Sequence, residues 1–174
     1  MGLVSSFDTN NDHINSASDS GKLIIDLSTF RIGGTPLGKE AWDGDFFSQA
    51  LAKEAILANE SAGYELAAED GSLISAFITL ARFQGSFIIK DQLTAITQKT
   101  NKEEILSLFG EPYWTDLDDD EIILFYEYQE GSIELQFEFL NGQELTYITL
   151  IKNGVLSDPT QRKSYGVTKP WPPA

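Results

Sequence analysis

The sequence predicts an α+β fold: two tandem helix-plus-antiparallel-meander units sharing a curved sheet. One observation behind this is an internal echo. Leu23-Ile24-Ile25 with Ile32 returns as Phe87-Ile88-Ile89 with Ile96, an offset of 64 residues. Tyr64-Glu65-Leu66 returns as Tyr126-Glu127-Tyr128, an offset of 62, and Gly71-Ser72-Leu73 with Phe77 as Gly131-Ser132-Ile133 with Phe137, an offset of 60. Self-similarity at a near-constant period marks a repeated structural unit. The other observation is a pair of turn dipeptides, Glu130-Gly131 and Asn141-Gly142, which separate three alternating apolar and polar runs in the second half. Such a pattern specifies a meander of hairpins.

The elements follow in chain order. Residues 1–21 are rich in Ser, Asn and Asp with little to bury, and read as a flexible arm. Repeat unit 1, residues 22–86, opens with a strand at Leu23–Leu27 and a loop at Gly33-Gly34-Thr35-Pro36-Leu37-Gly38. Asp45–Leu57 spaces apolar residues at helical intervals, with Asp45 as a cap. Strands are expected at Tyr64–Ala67, Leu73–Leu80 and Ala81–Phe83. Repeat unit 2, residues 87–156, carries a helix opened by Thr100 with Glu103 three residues on, the capping-box spacing. Ile105, Leu108 and Phe109 form its buried stripe, and Gly110 with Pro112 ends it. An acidic loop, Thr115–Asp120, then leads to strands at Glu121–Tyr128, Ser132–Leu140 and Glu144–Ile151. Residues 157–174 read as an extended tail in which three prolines surround Trp171. Trp171 is expected to fold back onto the body, since tryptophan is on average highly buried, with a free recognition tail as the alternative.

The turns set a register that the hydrophobic pattern can check. With Glu130-Gly131 at the centre of one turn, Tyr128, Tyr126 and Leu124 oppose Ile133, Leu135 and Phe137. With Asn141-Gly142 as a two-residue loop, Ile133, Leu135 and Phe137 oppose Leu150, Ile148 and Thr146. One face is then a coherent core, whereas a slip of one residue would invert every side chain. The other face carries Phe125, Glu127, Glu134, Gln136, Glu138 and Tyr147, the candidate protein-binding residues. On it Glu127 opposes Glu134, a like-charge pair that calls for solvent or a cation. Aromatic groups interleaved with acids fit a binding surface, because aromatics concentrate at binding hot spots. A solvated sheet face with scattered apolar residues is the plainer reading of the same pattern.

Composition narrows the function classes. With 174 residues and 41% hydrophobic content, the chain can build a core unaided. It has no cysteine, which removes disulfides and thiolate sites and fits a reducing compartment. No run approaches the roughly 20 apolar residues of a membrane span, so a cytoplasmic protein is expected, with an exported mature chain left open. Met1–Ser6 meets the loose myristoylation pattern, which chance supplies often. Net charge is −15, unevenly spread: −6 over residues 1–100, −12 over 101–144 and +3 over 145–174. That field opposes nucleic acid and anionic membranes and favours a protein partner with a basic or mixed-charge surface. Acidity also serves solubility alone.

Catalytic and metal motifs are missing from the pattern. His13 is the only histidine, so triads and multi-histidine metal sites are excluded. Asp8, Asn10 and Asp12 open like a calcium loop, but His13 stands where its glycine belongs and no glutamate closes it. The acids Asp116–Glu121 match no such loop either. No phosphate or dinucleotide fingerprint occurs, and neither a cofactor, a metal nor a catalytic residue is expected. Paired carboxylates in a cleft between the repeats, serving small-molecule binding or hydrolysis, form the alternative class, and self-association of the duplicated faces a third.

The unit headed by Thr100-x-x-Glu103-Glu104-Ile105 and Phe109-Gly110-Glu111-Pro112 resembles the SmpA/OmlA (BamE) unit, and two such units in an acidic chain resemble the beta-lactamase inhibitor protein architecture. The resemblance covers about residues 22–151. It implies a continuous curved sheet that binds protein on a concave face; an inhibitor or immunity-type protein is the sharper form of the protein-binding expectation, and inhibition of a beta-lactamase is not carried over. The chain departs from both families in lacking cysteine, and its first repeat lacks the Phe-Gly-x-Pro segment.

Overall fold

The computed structural model describes residues 22–39, 56–118 and 120–173. The chain is predominantly β, built from two sheets around a shared main core. The smaller sheet comprises β1 (Ile24–Asp26), β2 (Arg31–Ile32), β3 (Thr35–Pro36), β7 (Ser86–Ile89) and β8 (Gln92–Thr94), in the order β3-β2-β1-β7-β8. The larger comprises β4 (Ile56–Asn59), β5 (Tyr64–Glu69), β6 (Ser72–Thr79), β9 (Trp114–Asp118), β10 (Glu121–Tyr128), β11 (Ile133–Leu140) and β12 (Glu144–Lys152), in the order β4-β5-β6-β12-β11-β10-β9. Two α-helices, α1 (Lys102–Phe109) and α2 (Pro159–Ser164), and a 3₁₀ turn at Val155–Ser157 complete the described residues.

This overturns the expected α+β pair of helix-plus-meander units. The echoed runs Leu23-Ile24-Ile25 and Phe87-Ile88-Ile89 do not head two equivalent units of one sheet. They pair with each other: β1 and β7 run parallel, Ile25 opposite Phe87 and Asp26 opposite Ile88. The two short apolar runs satisfy each other's backbone, and this takes them out of the larger sheet. Strands from both halves meet there instead through β6 and β12, with Ile78 opposite Ile148. The expected helix at Asp45–Leu57 and the arm at 1–21 lie outside the described residues, apart from Ile56 and Leu57, which belong to β4. Ala81–Phe83 is a turn rather than a strand, and the expected acidic loop Thr115–Asp120 runs largely as edge strand β9. Charged residues suit an edge, where they discourage pairing with another chain.

Local chemistry places α1 one residue later than its spacing predicts. Asn101 is the N-cap and Glu104 returns the bond, with Glu104 N–H to Asn101 Oδ1 at 2.9 Å and Asn101 N–H to Glu104 Oε2 at 2.8 Å. Gly110 ends the helix at φ +80°. Tyr126 donates its hydroxyl to the Gly110 carbonyl at 2.8 Å, tying the helix end to β10.

The register between β10 and β11 is as the turn chemistry predicts, from Tyr128 opposite Ile133 to Leu124 opposite Phe137. Between β11 and β12 it differs by two residues: Leu135 opposes Leu150 and Phe137 opposes Ile148. Two single-residue insertions account for it. Asn141 (φ +53°) and Gly142 (φ +63°) form the tight turn, but Gln143 joins the connection, so Leu140 opposes Glu144. A bulge then leaves Thr146 unopposed between Leu145 and Tyr147. Each insertion alone would invert β12; together they restore its facing.

The core gathers Ile25, Ile32 and Phe87 of the small sheet, Leu66, Leu73, Ile78, Leu135, Phe137, Ile148 and Leu150 of the large sheet, and Ile105 of α1. Phe137 is fully buried and meets Phe109 and Tyr126. Phe77, on the opposite face of the large sheet, is 38% exposed. Phe137→Ala should therefore cost about 3–5 kcal/mol, as large-to-small core changes do, and Phe77→Ala well under about 1 kcal/mol. Urea midpoints of the two variants check the contrast.

Candidate interaction face

The six sequence-predicted residues share the outer face of the large sheet, and three rungs across the strands show how. One runs Trp114, Phe125, Gln136, Thr149, Phe77, Glu65, Ala58 from β9 to β4. Another runs Glu127, Glu134, Ile151, Ser75, Ala67, Ile56. The third runs Asp116, Ile123, Glu138, Tyr147, Thr79. Side chains alternate across a strand, so every residue on these rungs points the same way.

Half of this face is covered. Residues 154–173 cross it as a strap, and a second apolar cluster forms beneath: Ile123, Phe125 and Leu156, with Tyr113, Trp114, Val155, Tyr165, Val167 and Trp171 packed around them. Phe125 and Glu134 are fully buried, so the predicted site is not one open surface. Trp171 docks as expected, edge-on to Tyr113 with ring centres 5.8 Å apart. It lies over Gly131, where an added Cβ would sit 2.5 Å from the indole. The tail is not extended throughout, since the 3₁₀ turn and α2 shape its first half.

Glu134 holds the strap down. Its Oε1 accepts the Val155 N–H at 2.9 Å and its Oε2 the Leu156 N–H at 2.8 Å, while Gln136 donates its side-chain amide to Oε1. Charge-assisted bonds of this kind are about twice as strong as neutral ones, and here they satisfy donors at the head of the turn. Gly154 makes the approach possible, because an added Cβ would lie 2.3 Å from Glu134 Cβ. Arg162 closes the other end, donating from Nη1 to the Leu156 carbonyl at 2.6 Å and the Ser157 carbonyl at 2.9 Å, with its guanidinium 4.8 Å from the Trp171 ring centre. Trp114 Nε1 donates to the Tyr165 carbonyl at 3.1 Å, and the Tyr113 hydroxyl to the Pro170 carbonyl at 2.9 Å.

The like-charge pair that the sequence places at Glu127 and Glu134 resolves asymmetrically. Glu134 takes the backbone donors. Both Glu127 carboxyl oxygens are buried with no hydrogen-bond partner among the described residues. Burial pushes Glu127 up to about 10, and the Glu134 carboxylate opposite adds to the rise, with Arg162 opposing it. Glu127 is therefore protonated at neutral pH, which removes the repulsion.

Beyond the strap the face is open. Phe77 and Tyr147 pack ring to ring at 5.0 Å, and Ile56 is 53% exposed on the same side. Glu138 is half-buried beside Tyr147, and burial, with the nearby Glu121 carboxyl, pushes it up to about 7. Gln136 and Thr149 bridge the covered and open halves. Sequence reasoning missed Phe77 and Glu65 because only the β6–β12 pairing brings them here, and no local signal encodes that pairing. It also missed the strap's role as cover, although the basic character of residues 145–174 was the available sign.

No family model and no curated protein matches the chain. Among solved structures it is similar to a DUF4309 family protein (YjgB) from Bacillus subtilis, at 16% identity over 69% of this chain and 72% of that one, with a TM-score of 0.36. It is also similar to an extracellular protein containing an SCP domain from Bacillus anthracis, at 12% identity over 74% of this chain and 52% of that one, again with a TM-score of 0.36. The chain thus spans about half the length of the second protein. Both likenesses are too remote to bear on function. No helix among the described residues is long and apolar enough to cross a membrane.

Two outcomes follow from the strap. The folded pKa of Glu127 lies above its ordinary value of 4.5, so the folded state holds the extra proton and loses stability as pH rises from about 4.5 toward about 10. Glu127→Gln should raise the urea midpoint at pH 7 and flatten its fall between pH 5 and pH 9. Gly154→Ala should drive Glu134 from its donors, seen as at least tenfold faster amide exchange at Val155 and Leu156 with core amides unchanged.

Proposed function

We propose that the chain is a non-enzymatic protein-binding module whose contact surface is the open half of the outer face, centred on Phe77, Gln136, Glu138, Tyr147 and Thr149. The observation that carries this reading is the solvent-facing Phe77–Tyr147 ring pair beside Glu138, on a sheet whose other half already buries aromatic groups under a polypeptide segment. Aromatic anchors ringed by polar groups are the usual composition of a binding hot spot. The net charge of −15 supports a partner with a basic or mixed-charge surface and disfavours nucleic acid. An inhibitor or immunity-type role is the sharper form of the same reading. Of the six residues expected from sequence, Gln136, Glu138 and Tyr147 stay in the site, whereas Phe125, Glu127 and Glu134 serve the strap.

The test is affinity capture from the native lysate with quantitative mass spectrometry. Tyr147→Ala combined with Glu138→Lys should lower recovery of a captured protein by about tenfold or more, the scale of a hot-spot loss. Glu111→Lys, a matched charge reversal at an exposed site off the face, should leave it unchanged. Equal recovery with all three proteins would remove this surface from consideration.

A further inference from the structure

The strap is a polypeptide ligand already bound to this face, and it displays the chemistry the face accepts. Residues 154–173 carry Arg162, Lys163 and Lys169 against Asp158 alone, together with Tyr165 and Trp171. Their docking uses rings on both sides: Tyr165 against Phe125 at 5.2 Å, Trp171 against Tyr113, and Lys169 5.6 Å from the Tyr113 ring centre, while Arg162 braces Trp171 from within the strap. A basic, aromatic segment thus lies on an acidic, aromatic sheet.

The same surface chemistry continues past the strap's edge with nothing on it among the described residues. Phe77 and Tyr147 supply the rings, Glu138 and Glu65 the carboxylates, and Ile56 an exposed apolar end. None of the outward positions on β4, β5, β6, β11 or β12 holds a lysine or arginine. Those strands therefore offer the acids there no cation of their own, whereas on the covered half the strap places Arg162 close enough to Glu127 to oppose its rise. Resting on the protein-binding reading above, we propose that the open half, along β6, β12 and β11, docks a basic peptide segment of a partner that carries an aromatic side chain, seated between Phe77 and Tyr147 with its cationic groups toward Glu138 and Glu65.

The chain's own strap sequence is the natural probe. The tethered strap has an effective concentration in the millimolar range, so a free copy at lower concentration does not displace it and is directed to the open half. A dye-labelled peptide of residues 158–173, titrated with the full chain by fluorescence anisotropy, should bind with a Kd of about 10–100 µM and weaken as salt is raised from about 50 to 500 mM. Phe77→Ala with Tyr147→Ala in the full chain should weaken it at least tenfold. A peptide with Arg162→Glu, Lys163→Glu and Lys169→Glu should not bind.

Absence of binding up to about 1 mM full chain, equal binding by the charge-reversed peptide, or binding indifferent to the Phe77/Tyr147 change would each overturn the proposal. The last result would mean that the peptide had exchanged with the strap. If lysate capture still depends on Tyr147 and Glu138 while the basic peptide fails to bind, the partner chemistry is wrong and the protein-binding reading survives. Failure of both removes the reading itself.

Discussion

A buried carboxylate holding two backbone N–H groups decides how this protein presents itself. Glu134 stands in the middle of the large sheet, fully buried, and its two oxygens fix the head of the turn that starts the strap. An uncompensated carboxylate in that position would be costly; the Val155, Leu156 and Gln136 donors compensate it, and Gly154 removes the Cβ that would block the approach. From this anchor the chain is led across β10 and β9, where Leu156, Tyr165 and Trp171 bury Phe125 and Ile123. Glu127 next to it adopts the neutral form because it is buried beside Glu134, with no second set of donors among the described residues.

The consequence is a sheet face divided in two. Its β9–β10 side is a second small core, sealed by the protein's own C-terminal segment. Its β12–β6 side keeps a ring pair and carboxylates toward solvent. Both sides are the same kind of surface, which makes the strap informative about what the uncovered part accepts.

Legibility in the sequence followed the range of the interactions. The helix at Lys102–Phe109 and the strands through Glu121–Lys152 were readable because a capping box, a glycine end and two turns act over a few residues. Their facing was readable too: all six expected site residues lie on one side of the sheet. The β11–β12 partners came out two residues away because Gln143 and the Thr146 bulge each add one residue, and neither has a distinctive side-chain signal. What failed was long-range. The echo between Ile24 and Ile88 was read as two copies of a unit, yet the two runs are partners in one ladder, a pairing that no local signal distinguishes from a repeat. The burial of Phe125 and Glu134 was equally unreadable locally, because it is imposed by residues 154–173 arriving from the far end of the chain.

Hydroxyl-radical footprinting of the intact protein, read residue by residue by mass spectrometry, addresses the division of the face most directly. Phe77 should oxidise readily and the half-buried Tyr147 measurably, while Phe125 stays protected at the level of Phe137, because Phe125 and Phe137 are fully buried. Oxidation of Phe125 at the rate of Phe77 would show that the strap does not lie where Glu134 places it, and would contradict the account.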